Sequence, residues 1–132
     1  MITSYKELKV WERADLLAHR VFDLTEKFPK TYSSNLTSQL RRAALSIPTN
    51  IAEGCAGFHS GEFLQFLNIS RRSRSETNYL LNFASRRELL RESELMDLES
   101  IMEEISKMLN SLIKSIRQKK NSKASERSTL DT

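Results

Sequence analysis

The sequence predicts an all-α fold, an antiparallel up-down-up-down four-helix bundle, and three observations predict it. Four segments carry apolar residues at the alternating three-and-four spacing of a helix. Glycine and proline are rare, three and two in 132 residues, which favours long helices over turn-rich sheet. The links near residues 29–34, 58–60 and 91–93 are short, and short links set successive helices beside each other in opposite directions.

The first segment runs from Lys9 to Phe28. Val10, Ala14, Leu17, Val21, Leu24 and Phe28 form its stripe, and Pro29 stops it. The second runs from Asn35 to Cys55, with Ser34 or Asn35 as the expected N-cap. Its stripe is Leu36, Leu40, Ala44, Ile47, Ile51 and Cys55, extending toward Phe58. Gly54 and Gly57 stand where a left-handed C-terminal residue is wanted. The third starts at Ser60 and runs to about Leu90. Phe63, Phe66, Leu67, Leu80, Leu81 and Ala84 mark its inner face, with small polar Ser70, Ser73 and Thr77 in the middle. The fourth runs from Ser93 to Lys120, with a heptad seam of Leu95, Leu98, Met102, Ile105, Leu109, Leu112 and Ile116. Its acids, Glu94 to Glu104, precede its bases, Lys107 to Lys120, as the helix dipole prefers. Residues 1–120 therefore read as the bundle. Residues 121–132 read as a polar, aperiodic tail, expected to be disordered.

Pro48 lies inside the second stripe and removes the hydrogen bond to the carbonyl of Ala44, so a kink is expected. Beside that stripe run Gln39, Arg42, Ser46, Asn50, Glu53 and Gly57, all on one flank. They suggest a partly buried polar seam. If the chain turns back near residue 59, Ser46 falls opposite Ser73. Arg42 then falls opposite Glu76, with an Arg42–Glu76 ion pair expected and Arg41 as the fallback partner.

Chemistry is harder to find. His19 and His59 are isolated, and Leu16 and Ala56 stand where a di-metal bundle would place glutamates. Cys55 reads as a small buried thiol. GCAGFHSG has no Walker lysine and follows no strand. No enzyme, metal or cofactor is expected. One cysteine fits a reducing compartment. The N-terminus lacks the pattern of a secretory signal, and no long apolar run offers a membrane span, so the cytoplasm is the expected location.

LKVWERADLLAHRVFDLTEKFP, LTSQLRRAALSIPTNIAEG and GEFLQFLNISRRSRSETNYLL together resemble the first three helices of the 23S rRNA intervening-sequence protein family. The second is the most specific, because proline, asparagine and Ala-Glu-Gly fall in order within one amphipathic helix. The resemblance spans about Tyr5 to Met108. It implies a homopentameric barrel of bundles and kinship with accessory proteins of diversity-generating retroelements. Those proteins bind a reverse transcriptase and nucleic acid, and no enzymatic activity goes with the family.

The net charge of +4 leaves room for an anionic partner. Candidate nucleic-acid contacts are three cationic clusters: Arg71, Arg72 and Arg74; Arg86, Arg87 and Arg91; and Arg117, Lys119, Lys120 and Lys123. The leading expectation is an oligomeric scaffold that binds RNA, more readily than DNA, or a ribonucleoprotein, by phosphate contacts. The alternative is a protein-interaction module without a nucleic-acid role. Trp11, Leu45 and Phe83 are the candidate oligomer-interface residues.

Overall fold

The computed structural model describes residues 4–57 and 59–130, with side chains as far as residue 126. Phe58, the proposed continuation of the second stripe, and tail residues 131–132 lie outside the described residues. Four α-helices are present and, among the described residues, no strand: α1 (Lys9–Thr25), α2 (Ser38–Ala56), α3 (Ser60–Arg86) and α4 (Glu92–Leu130). Helix α1 touches α2, α2 touches α3, α3 touches α4, and α4 returns to α1, consistent with a four-helix bundle.

The stripes predicted this core closely. Val10, Ala14, Leu17, Val21 and Leu24 of α1 are buried, as are Leu40, Ala44, Ile47 and Ile51 of α2. The α4 seam is buried from Leu95 to Leu109 and again at Ile116. Ile101 and Ile113 join it because a straight helix of 3.6 residues per turn drifts off a strict heptad. On α3 the polar members Ser70 and Thr77 are fully buried, and Leu64 is buried while Phe63 is only partly covered.

The ends of the first three helices depart from expectation in four places. Helix α1 stops at Thr25, not Phe28. The amides of Lys27 and Phe28 turn tightly onto the carbonyls of Leu24 and Thr25, in keeping with a following proline that disfavours helix before it. Helix α2 has no Ser34 or Asn35 cap. A short 3-10 turn (Lys30–Tyr32) and a π turn (Ser33–Thr37) lead into it instead. Helix α3 ends at Arg86 through a left-handed residue, Glu88 at φ 63°, with the amide of Leu89 bonded to the carbonyl of Ala84. Neither Gly54 nor Gly57 is left-handed.

Gly54 serves closeness rather than turning. A Cβ there would stand 2.8 Å from the Cβ of Phe66 and 2.9 Å from Cδ1 of Phe63, so its missing side chain lets α2 lie against α3.

Helix α4 continues past Lys120, where the apolar pattern ends, to Leu130. Extending a helix adds one hydrogen bond per residue without a new nucleus, and neither glycine nor proline interrupts this stretch. Because residues 117–126 are exposed on every face, no apolar period marks them.

Candidate nucleic-acid interface

Helix α2 runs unbroken through buried Pro48, and the carbonyls just before the proline gather side-chain donors. Thr49 Oγ1 donates to the Leu45 carbonyl at 2.8 Å and Asn50 Nδ2 to the Ser46 carbonyl at 2.8 Å. Ser70 Oγ, from α3, donates to the Ile47 carbonyl at 2.9 Å. Ser73 and Ser46 hydroxyls meet at 2.9 Å, and Asn50 Nδ2 donates to Ser46 Oγ at 2.9 Å. The polar seam therefore exists, but as Ser46, Asn50, Ser70 and Ser73. Arg42, Glu53 and Glu76 are exposed and lie off it.

No Arg42–Glu76 ion pair forms within 4 Å, and Arg41 does not replace Arg42. Opposite charges at the same height along two helices still point apart when each sits on the outer flank of its own helix. Arg41 turns the other way, onto the C-terminus of α1. Its Nε donates to Thr25 Oγ1 at 2.7 Å, and its Nη2 donates to the Phe22 carbonyl and to Glu26, each at 3.3 Å. The guanidinium also sits 4.8 Å from the Phe22 ring centroid. A cation is favourable where the last carbonyls of a helix lack partners.

The three cationic clusters occupy separate places. In the middle of α3, Arg71 is half-buried and committed: its guanidinium donates to Asn68 Oδ1 at 2.8 Å and to Asn110 Oδ1 of α4 at 3.4 Å. Arg74 is half-buried too, bonded to Ser75 Oγ at 3.3 Å, and its buried Nε has no partner. Of that cluster Arg72 alone is fully open.

At the α3–α4 turn, Arg86 is open, Arg87 Nε donates to Tyr32 Oη at 3.3 Å, and Arg91 Nε pairs with Glu94 at 3.3 Å. The Arg91 amide also donates to Glu94 Oε1 at 3.0 Å, which closes the start of α4. That amide chiefly holds the Glu94 carboxyl below its ordinary range; burial opposes it, and the Arg91 guanidinium and then Lys27 add smaller lowering effects.

Along the end of α4, Arg117, Lys119, Lys120 and Lys123 are exposed and form no ion pair among the described residues. Lys120 lies over the start of α3, its Nζ 3.4 Å from where a Cβ on Gly61 would stand. These four cations follow Ile116, the last buried residue of the helix among those described.

Of the interface candidates, Leu45 is 50% exposed and Phe83 38%, whereas Trp11 is half-covered within the chain, packed on the core and edge-on to Tyr5 at 4.7 Å. Ile69, Tyr79 and Met96 are exposed apolar side chains that no stripe pointed to. Tyr79 and Phe83 line a cleft of about 500 Å³ between α3 and the segment leading into α2, floored by Leu36 and Leu80. The i, i+4 spacing of two aromatics off the core stripe was the available signal for it.

Burial, and then the Glu7 carboxylate, push the Cys55 thiol up, so its thiolate is disfavoured. Among the described residues no three His, Cys, Asp or Glu side chains come together as metal ligands. No described helix is long and apolar enough to cross a membrane.

Four helices around one core, with cations collected at three places on the outside, define a small all-α four-helix protein with basic surface clusters. Within that class the chain belongs to the 23S rRNA-intervening sequence protein family, which it matches over residues 6–111. The family read from the LTSQLRRAALSIPTNIAEG segment is therefore the right one. The chain is also similar to a solved protein of unknown function from the S23 ribosomal protein family of Bacteroides thetaiotaomicron VPI-5482. The two share 26% identity and a TM-score of 0.74, over 80% of this chain and 95% of that one. A comparison with curated proteins returns no match.

Proposed function

We propose that this protein is a non-enzymatic oligomeric scaffold that binds RNA, in preference to DNA, through phosphate contacts. The observation that carries the reading is the end of α4. Arg117, Lys119, Lys120 and Lys123 stand beyond Ile116, the last buried residue among those described, exposed and without an ion pair among the described residues. Cations with no structural task and open solvent around them are available to phosphates. Arg72 and Arg86 add to this set, while Arg71, Arg74, Arg87 and Arg91 already have partners within the chain.

The subunit in this reading is an antiparallel up-down-up-down bundle. Contacts with falling and rising numbers support it: Ser46 with Ser73, Ile47 with Ser70, Gly54 with Phe66, and, between α1 and α4, Arg13 with Glu104 at 3.0 Å. The assembly is a homopentamer, as the family resemblance implies, and the exposed Leu45, Ile69 and Met96 are apolar surface that copies could cover. Five copies of a +4 chain would carry +20, a field that draws in polyanions. By kinship with retroelement accessory proteins, a reverse transcriptase is the protein partner to test, in the cytoplasm.

A second reading, a protein-interaction module without RNA, is favoured by the same exposed apolar side chains. Binding of the whole chain to a structured RNA at about 50 and 200 mM salt separates the two. Several phosphate contacts predict a loss of roughly 10³-fold in affinity over that range. Charge reversal of Lys119, Lys120 and Lys123 to Glu should flatten this dependence. Absence of binding by the unaltered protein at the lower salt would remove the RNA reading and leave the interaction module. For the assembly, light scattering should give about five times the 15.3 kDa chain mass, and a monomer mass would refute the pentamer.

A further inference from the structure

We propose that the cleft between α3 and the approach to α2 receives an unpaired RNA base together with its phosphate. The inference rests on the RNA reading above and adds a second site, at the end of α3 away from Lys120. Tyr79 and Phe83 are spaced by four on one face of α3, Arg87 is the residue just past its end, and Tyr32, Asn35 and Gln39 supply the facing wall. The two aromatic rings are exposed, with centroids 6.5 Å apart and planes at 44°, so they present two tilted π faces rather than a closed stack. A void of about 500 Å³ suits a nucleoside.

The polar groups are placed for the rest of a nucleotide. Arg87 Nε donates to Tyr32 Oη at 3.3 Å, which holds the guanidinium beside the cleft and leaves its other N–H groups for a phosphate oxygen. Asn35 Oδ1 accepts the Leu36 amide, so the amide nitrogen of Asn35 stays available as a donor, and exposed Gln39 offers both a donor and an acceptor. No carboxylate lines the cleft. An aromatic ledge, a fixed guanidinium and two amides match a base and its phosphate better than they match an aliphatic side chain. Single strands are recognised in this manner, by stacking with hydrogen bonds to the base edge.

The test uses the full chain and a single-stranded oligonucleotide of about ten residues carrying 2-aminopurine, beside the same sequence as a duplex, at about 50 mM salt. The unaltered protein should quench the fluorescence and prefer the single strand. Tyr79→Ala should weaken single-strand binding roughly 5- to 100-fold. Tyr79→Phe should retain it, and Arg87→Gln should weaken it while leaving the quenching. Tyr79 is exposed enough that its removal leaves the core alone.

Three results overturn the proposal. If Tyr79→Ala binds as tightly as the unaltered protein while the α4 charge reversal abolishes binding, RNA is held by its backbone elsewhere and the cleft is not the site. If Tyr79→Ala lowers the mass in light scattering, the aromatic ledge is a contact between copies. If the unaltered protein binds neither RNA, the scaffold reading falls with it.

Discussion

Gly54→Ala is the sharpest probe of how α2 and α3 fit together. In an exposed helix interior, replacing glycine by alanine gains roughly 0.8–1.0 kcal/mol through backbone entropy. Here the new Cβ would meet Phe63 Cδ1 at 2.9 Å and Phe66 Cβ at 2.8 Å. The Phe63 ring can turn aside. The Cβ of Phe66 is fixed to the α3 backbone, so relief requires the two helices to part. Overpacking of this kind costs about 1–3 kcal/mol, and a clash with a backbone-fixed atom belongs in the upper half of that range. Set against the helix-propensity gain, the net is a loss of about 1–2 kcal/mol. At this chain length each kcal/mol moves Tm by about 3–5 °C, so a fall of roughly 3–10 °C is expected. Thermal unfolding followed by circular dichroism reads it. Gly61→Ala is the matched control, since a Cβ there meets nothing closer than the flexible end of Lys120 at 3.4 Å. A Gly54→Ala protein more stable than the original would refute the close approach.

Three further substitutions test other joints. Ser70 is fully buried with its hydroxyl on the Ile47 carbonyl, so Ser70→Ala should lose about 1 kcal/mol in urea unfolding, and no loss would mean the bond contributes nothing net. The folded pKa of Glu94 lies below its ordinary 4.5, so its contribution is complete above that value and disappears as pH falls through the folded value. Glu94→Gln should therefore destabilise at neutral pH and flatten the stability profile below about 4.5. An unchanged acid limb in the variant would count against the Arg91–Glu94 closure. Glu88 holds φ at 63°, where a side chain is strained, and Glu88→Gly should gain about 0.5–1 kcal/mol. A loss there would show that the Glu88 side chain contributes something that the backbone term does not capture.

What could be read from sequence was whatever burial imposes as a period. The α1 stripe, the α2 stripe and the α4 seam are buried because each helix has one face toward a shared core. Height along neighbouring helices was legible too: turning the chain near residue 59 placed Ser46 against Ser73, and their hydroxyls meet at 2.9 Å. Direction around the helix was not. Arg42 and Glu76 share a height but point to solvent, and Arg41, one residue away, points to α1. A rotation of 100° per residue makes such neighbours face different helices. The end of α3 was illegible because Glu88 does a job that a glycine usually signals. The reach of α4 past Lys120 was illegible because an unpacked helix leaves no apolar pattern. Of the candidate interface, the sequence identified the cations but not which of them the fold had already engaged.

That division of the cations bears on how the surface works. Arg71 ties α3 to α4, Arg41 ties α2 to α1, and Arg91 closes the start of α4. Each has a geometric task, and each is part-buried or bonded. Removing such a side chain disturbs helix packing or a helix end before it disturbs any ligand. The cations after Ile116 differ because the core ends where they begin. Their substitution acts on a stretch of helix past the buried core, so effects on stability and on any anion binding can be read apart there. They are not separable in the middle of α3. A charge reversal at Arg71, Arg72 and Arg74 would confuse the two effects, whereas reversal at Lys119, Lys120 and Lys123 would not. The same logic explains how a helical extension can be cationic at all. Like charges along an isolated helix repel by a few tenths of a kcal/mol per pair, and the preceding packed turns of α4 absorb that strain by keeping the helix nucleated.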